Sequence, residues 1–121
     1  LTSITLPKTL TALGEKFGAG VFNECTALTE VNFAADGNLT MIGAFTFNGC
    51  TSLTQITIPD TCTSIEYCAF SGAGLTSIDI PASVSSIANQ AFYLCSSLST
   101  ITLHEGLTTV DSMAFTGCAA T

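Results

Sequence analysis

The chain has 121 residues, a length suited to one domain, and only 9% of them are charged, against roughly 25% in an average soluble protein. Two lysines against nine carboxylates give a net charge of −7, which excludes nucleic-acid binding by phosphate neutralisation and argues against docking on anionic membranes. No apolar run approaches the ~18 residues of a membrane span, so direct membrane insertion is not expected. Twenty threonines and twelve serines replace charge as the polar component of the surface.

The sequence repeats itself along its whole length. Each unit has about 23 residues and follows the pattern L-T-x-I-x-I-P-x-x-V-T-x-I-x-x-x-A-F-x-x-C-x-x. The five units begin at Leu1, Leu28, Leu53, Leu75 and Leu98. One such unit cannot bury its apolar residues alone, whereas stacked units share a continuous core. The pattern therefore predicts a single repeat solenoid over residues 1–121.

Within a unit, the elements follow in a fixed order. The alternating segment Leu-x-x-Ile-x-Ile predicts a short strand, and these strands are expected to pair as a parallel sheet. Proline ends the strand at Pro7, Pro59 and Pro81 because it lacks an N–H group. The next segment, such as residues 84–87, predicts inward side chains on the opposite wall. The A-F-x-x-C segment predicts a short helical turn whose phenylalanines stack in a column: Phe22, Phe47, Phe70, Phe92 and Phe115.

Two units are longer than the others. Repeat one carries four extra residues around 15–18, and repeat two carries two extra residues around 36–38. Because the flanking pattern stays in phase, we expect both insertions to be loops on one side of the stack. The chain starts on the first residue of a unit and stops where a sixth leucine is due, without a polar capping unit at either end. This predicts a segment of a longer array.

The strings LTQITIPDTCTSIEYCAFSGAGL and LTSIDIPASVSSIANQAFYLCSSL resemble the BspA-like leucine-rich repeats of the bacterial-surface type. The resemblance covers the whole chain, with local departures only: Val21 and Thr46 replace Ala, Ala34 and His104 replace Pro, and Ala73 replaces Cys. It implies a right-handed leucine-rich repeat coil from a cell-surface or secreted protein, used in adhesion to proteins or glycans of host or neighbouring cells. A parallel β-helix is the alternative fold, and the predicted helical turn favours the leucine-rich repeat.

Four of the six cysteines share one position of the repeat, which predicts a column in the core. They are Cys25, Cys50, Cys95 and Cys118. Ala73 fills the same position in repeat three, so the position favours small buried residues and free thiols. Disulfides within the column are the alternative, because neighbouring coils lie about 4.7–4.9 Å apart and bridged Cα atoms about 4.4–6.8 Å apart.

The other two cysteines occupy different positions. Cys62 takes the inward Val position and is predicted to lie in the core, whereas Cys68 precedes Ala-Phe and is predicted to be the most exposed thiol. Neither C-x-x-C nor a paired Cys/His cluster occurs, so no metal site and no cofactor are expected.

No residue pattern points to catalysis. His104 is the only histidine and has no in-phase serine or cysteine partner. Asp60 and Glu66 fall in a loop and in a coil wall, and their spacing predicts no shared cleft. Phosphate-binding loops and nucleophile elbows are absent from the sequence. We therefore expect no catalytic residue and no enzymatic activity.

The outward side chains of the strands form the candidate ligand-binding face, in two parallel columns. They are Ser3, Thr5, Glu30, Asn32, Gln55, Thr57, Ser77, Asp79, Thr100 and Thr102. The alternative is a merely solvated surface, since Thr suits strands. The face lacks the aromatic residues and arginines that anchor tight interfaces. If it binds, a weak contact strengthened by many copies is expected.

Asn38-Leu39-Thr40 is an acceptor sequence for N-glycosylation. Leu39 and Ile42 point inward by their phase in the repeat, which leaves Asn38 at the edge of the repeat-two insertion. Such sequences also occur often by chance, so Asn38 is a candidate only.

The uncapped ends support a second functional hypothesis. Exposed parallel edges and open cores favour head-to-tail contacts, which grow into filaments or a surface layer. Alternatively, neighbouring units of a longer protein cover both ends.

Overall fold

Each sequence unit forms one coil of a stack, and the computed structural model describes residues 1–120. Neighbouring coils pair through short parallel strands. Within residues 1–120 the strands are β1 (Ser3–Leu6), β2 (Ala12–Leu13), β3 (Glu30–Phe33), β4 (Met41–Ile42), β5 (Ser64–Ile65), β6 (Ser77–Asp79), β7 (Ser86–Ile87), β8 (Thr100–Thr102) and β9 (Thr109–Val110). The parallel pairing of successive units confirms the predicted solenoid of stacked coils.

The continuous sheet is formed by the second segment of each unit, on the wall opposite to the first segments, where a sheet was expected. Strands β2-β4-β5-β7-β9 form an unbroken five-stranded sheet from the second segment of each unit. The first segments pair only as β1-β3 and β6-β8, because residues 54–58 of coil three do not join a strand ladder. The predicted parallel pairing of the first segments is confirmed at both ends of the stack, and it is interrupted at coil three. This break in the strand pairing lies beside the coil-two insertion. It leaves a cleft between residues 31–37 and 57–61.

The phenylalanine column is confirmed. Successive ring centroids lie 5.6, 5.2, 5.1 and 5.1 Å apart, and the ring planes differ by 17° or less. Phe47, Phe70 and Phe92 are fully buried at the centre of this column. Inward leucine, isoleucine and valine residues of both walls complete a core that runs the length of the stack.

The Ala-Phe corner contains no helix, so the predicted helical turn was wrong. In coil three the backbone N–H of Phe70 donates to the carbonyl oxygen of Ala91 at 2.7 Å, and that of Gly72 donates to Tyr93 at 2.8 Å. These bonds join successive coils, whereas an α-helix would direct them four residues back along the chain. Cys68 and Gly72, two residues on either side of Phe70, have left-handed φ angles of 54° and 69°. The equivalent residues have positive φ in every coil, which prevents a helix from continuing.

Hydroxyl groups form a second set of bonds between coils. Thr63 Oγ1 donates to the carbonyl oxygen of Thr40 at 3.0 Å, Ser85 Oγ to Thr63 at 3.3 Å, and Thr108 Oγ1 to Ser85 at 3.0 Å. Thr40 continues this row with a bond to Thr11 in coil one. Part of the serine and threonine content therefore has a structural role beyond covering the surface.

The two insertions lie at different corners of the stack, contrary to the expectation of one side. Residues 15–18 follow β2 of the five-stranded sheet, whereas residues 36–38 follow β3 on the other wall. They differ because the extra residues enter the repeat after different strands. Each insertion therefore shapes a different surface of the solenoid.

Candidate ligand-binding face

The structure places the outward strand residues in the predicted columns at both ends of the stack. Ser3 pairs with Glu30 and Thr5 with Asn32 across β1 and β3. Ser77 likewise pairs with Thr100, and Asp79 pairs with Thr102, across β6 and β8. All ten candidate side chains are exposed except that of Ser77, which is partly buried.

The two columns are interrupted in coil three. Gln55 and Thr57 are exposed, as predicted, but they lie on residues 54–58, which form no strand ladder with either neighbouring coil. A cleft of about 600 Å³ opens towards coil two, between residues 31–37 and 57–61. Another of about 400 Å³ opens towards coil four and is lined by Asp79 and His104. The expected continuous columns are thus two polar patches separated by clefts.

Both acidic residues of the face are held by a neighbour. Glu30 Oε1 accepts a hydrogen bond from Asn32 Nδ2 at 2.7 Å. Asp79 Oδ1 lies 2.7 Å from His104 Nε2, and both of these side chains are exposed. From the sequence, His104 is a departure from the Pro position and a histidine without a catalytic partner, and it is not assigned to this face. Its place next to the outward column was the available signal that it belongs to this face.

The acidic residues considered for catalysis are not brought together. Asp60 lines the cleft towards coil two, whereas Glu66 follows β5 on the opposite wall. Within residues 1–120, no group of three or more His, Cys, Asp or Glu residues is placed to hold a metal ion. The same residues include no helix able to cross a membrane.

A family model described as "BspA type Leucine rich repeat region (6 copies)" matches residues 1–35 and 15–121, which together span the chain. The chain belongs to the BspA-type leucine-rich repeat family. This confirms the resemblance and the predicted fold class, and it decides against the parallel β-helix. The helical turn that favoured the family is nevertheless absent from its coils in residues 1–120.

Solved structures of bacterial leucine-rich repeat proteins agree with this family. A protein from Bacteroides ovatus is 35% identical with a TM-score of 0.74, over 85% of this chain and 25% of its own. A leucine-rich repeat protein from Eubacterium ventriosum is 28% identical with a TM-score of 0.83, and the match covers 100% of this chain and 32% of that protein. A leucine rich cell surface protein from Faecalibacterium prausnitzii is 28% identical with a TM-score of 0.52, and the match covers 84% of this chain and 38% of that protein. This leucine-rich repeat chain thus spans less than two-fifths of each of these proteins. No curated protein matches it.

The cysteine column of these leucine-rich repeats consists of free thiols. Cys50 and Cys95 are fully buried, and Cys25 and Cys118 are partly buried at the two ends. Burial raises the pKa of Cys50 to about 11 and that of Cys95 to about 12. Cys62 lies in the core as predicted, and burial raises its pKa to about 11. A thiol with such a pKa stays protonated at neutral pH and is a poor nucleophile.

The prediction that Cys68 is the most exposed thiol was wrong, since its side chain is only 5% exposed. Its Sγ lies 3.4 Å from Gln90 Oε1, and the next coil covers it. Burial raises the pKa of this thiol as well. The equivalent Met113 in coil five is exposed, so burial at this position depends on the coil that follows.

Asn38 lies where the sequence placed it. It is exposed at the coil-two insertion, with Leu39 and Ile42 buried beside it. Asn38 Nδ2 contacts the carbonyl oxygen of Lys8 at 3.5 Å, at the long limit of a hydrogen bond. Glycosylation of this side chain stays a prediction.

Proposed function

We propose that this leucine-rich repeat chain is a non-enzymatic recognition module of a cell-surface or secreted protein. Its ligands are proteins or glycans of host or neighbouring cells, bound through the outward strand face. The observation that carries the proposal is the exposure of the in-register polar residues of that face, such as Glu30 and Asp79. The bacterial-surface family and the cell-surface description of the Faecalibacterium relative support the location.

The composition of the face supports weak, multivalent binding. Tight protein interfaces depend on a few buried aromatic or arginine anchors, and the ten face residues include neither. Repeated copies raise the effective concentration of a weak contact without adding a new one. The Glu30–Asn32 and Asp79–His104 pairs already hold polar groups in place, which lowers the entropy lost when a ligand binds.

Attachment of multivalent protein to cells tests the proposal. Beads coated with the chain are incubated with epithelial cells and with bacterial cells, and bound beads are counted. Glu30→Lys combined with Asp79→Lys should abolish attachment, because the substitutions reverse both charges of the face. Glu24→Lys is the control for a single charge reversal away from the strands, since Glu24 is exposed at the Ala-Phe corner, and Glu30→Lys alone is its matched single variant. Attachment of the double variant equal to that of the parent chain would refute the proposed face.

Head-to-tail stacking is the second candidate, and one observation favours it. Leu103 and Val110 of coil five are about half exposed, whereas the equivalent Ile80 and Ile87 of coil four are buried beneath coil five. A coil from a second copy would bury this apolar surface in the same way, as would a further coil of a longer array. Sedimentation over a range of concentrations should then show growing species, and Val110→Lys should prevent growth. A chain that stays monomeric at millimolar concentration contradicts stacking.

A further inference from the structure

A groove of about 490 Å³ lies on the wall of the five-stranded sheet, opposite the outward strand face. This volume is in the range of about 300–1,000 Å³ found for ligand pockets. Residues from the coil-one insertion and from coils three to five line it together. Those that matter for its chemistry are Lys16, Phe17, Glu66, Tyr67, Asn89 and Asp111.

The repeat explains how the groove forms. Glu66, Ala88 and Asp111 directly follow β5, β7 and β9, so they occupy one position of the repeat in three successive coils. The small Ala88 leaves a depression between the two acidic residues. In coil two the same position is Gly43, whose added Cβ would lie 2.5–2.6 Å from the carbonyl oxygens of Leu13 and Glu15. Gly43 therefore lets the coil-one insertion pack against the residue that follows β4.

One buried oxygen acceptor in the groove lacks a donor, and one carboxylate there lacks a counter-charge. Glu66 is only 7% exposed, and its carboxylate makes no ion pair with any residue among 1–120. Asn89 Oδ1 is buried and has no hydrogen-bond partner within that range. Burying the Asn89 oxygen without a partner costs free energy. A ligand that brings donors and positive charge would satisfy this oxygen and pair with the Glu66 carboxylate.

Aromatic rings form the remaining walls. Phe17 is 82% exposed, and Lys16 Nζ lies 5.7 Å from the centroid of its ring, so this ring already attracts a cation. The Tyr67 ring is held edge-to-face by Phe45 with a centroid distance of 5.4 Å. Together with the carboxylates of Glu66 and Asp111, these rings favour a planar cation.

We propose that the groove binds an arginine side chain of a basic partner protein. A guanidinium group stacks on aromatic rings and carries five donors, which suits carboxylate and amide oxygens. A lysine ammonium lacks the planar, forked geometry, and a neutral sugar leaves the carboxylate charges uncompensated. The groove and the outward strand face lie on opposite walls, so either site can fail experimentally without affecting the other.

Titration with small peptides tests the proposal. The probe is acetyl-Gly-Arg-Gly-amide, and its matched control replaces arginine by citrulline, which is planar but neutral. ¹⁵N–¹H NMR spectra of the chain should show shifts around Phe17, Glu66 and Asn89 with the arginine peptide only. Equal shifts with the citrulline peptide, or shifts with monosaccharides and none with the arginine peptide, would overturn the proposal.

Variants separate specific binding from general charge attraction. Glu66→Gln should weaken binding of the arginine peptide about tenfold, whereas Asp60→Asn, the same charge change outside the groove, should leave it unchanged. Lys16→Met should strengthen binding several-fold because it removes the competing cation. Phe17→Ala on the exposed loop should weaken binding and serves as the second test if Glu66→Gln does not fold. Equal effects of Glu66→Gln and Asp60→Asn, or unchanged binding by Phe17→Ala, would contradict the proposal.

Discussion

Cys95 donates its thiol hydrogen to the carbonyl oxygen of Phe70, which lies 2.9 Å away on the preceding coil. Cys118 makes the same bond to Phe92 at 3.2 Å, so the contact recurs with the repeat. The thiol is small enough for the core and still provides a weak donor, and a methyl group of similar size provides none. The cysteine position therefore links successive Ala-Phe corners as well as filling space.

These buried thiols should lower the free energy of unfolding at alkaline pH. Burial raises the pKa of Cys50 and Cys62 from 9.0 to about 11 and that of Cys95 to about 12. Above pH 9 the unfolded chain loses these protons while the folded chain keeps them, so the free energy of unfolding falls as pH rises. Each thiol contributes a slope of up to about 1.4 kcal/mol per pH unit between pH 9 and its folded pKa.

Urea unfolding between pH 8 and pH 11 measures this slope. Cys95→Ala is the matched variant, because Ala73 shows that alanine fits this position of the repeat. The variant should lose less stability per pH unit than the parent chain. Identical slopes for the two proteins would show that Cys95 does not titrate with a raised pKa.

The strictly periodic part of the fold could be predicted from the sequence. Spacing alone places Phe70 between Phe47 and Phe92 and places Cys62 in the core, because equivalent residues of stacked coils must lie above one another. The corner conformation could not be read from apolar spacing, since a helix and a series of turns bury the same phenylalanine. Glycine two residues after phenylalanine, as at Gly49 and Gly72, was the signal that was missed.

The contacts of the insertions could not be predicted. Repeat phase shows that residues 15–18 form a loop, but it does not show which coils the loop reaches. Phe17 meets the surface of coils three to five only because the insertion packs over Gly43. The outward face residues could be predicted because strand alternation fixes their side. The break at residues 54–58 depends on local backbone pairing, which the repeat pattern does not encode.

Removal of one ring from the aromatic column should destabilise the whole stack. Phe70 is fully buried, and its centroid lies 5.2 Å from that of Phe47 and 5.1 Å from that of Phe92. Phe70→Ala should lower the free energy of unfolding by about 3–5 kcal/mol, through lost burial and the cavity left behind. Phe17→Ala, at an exposed ring, should change it by less than about 0.5 kcal/mol. Similar losses for both variants in urea unfolding would contradict a column that stabilises the core.

The hydroxyl row between coils should contribute a smaller amount. Thr63→Val keeps the shape of the side chain but removes the donor to the carbonyl oxygen of Thr40. We expect a loss of about 1 kcal/mol, the usual net contribution of one hydrogen bond. Thr57→Val is the control, because Thr57 is also exposed and lies outside this row. Equal thermal stability of the two variants would show that the row is not stabilising.

Two neighbouring glycines should respond differently to alanine. A Cβ at Gly74 would overlap the carbonyl oxygen of Thr51, so Gly74→Ala forces successive coils apart and should destabilise the chain severely. A Cβ at Gly72 meets nothing closer than 4.0 Å, and its cost is the left-handed backbone, about 1–2 kcal/mol. Leu94 adopts φ 56° at the equivalent position, which shows that the fold tolerates a side chain there. Equal losses in the free energy of urea unfolding for the two variants would show that close contact between coils is not the reason for glycine at position 74.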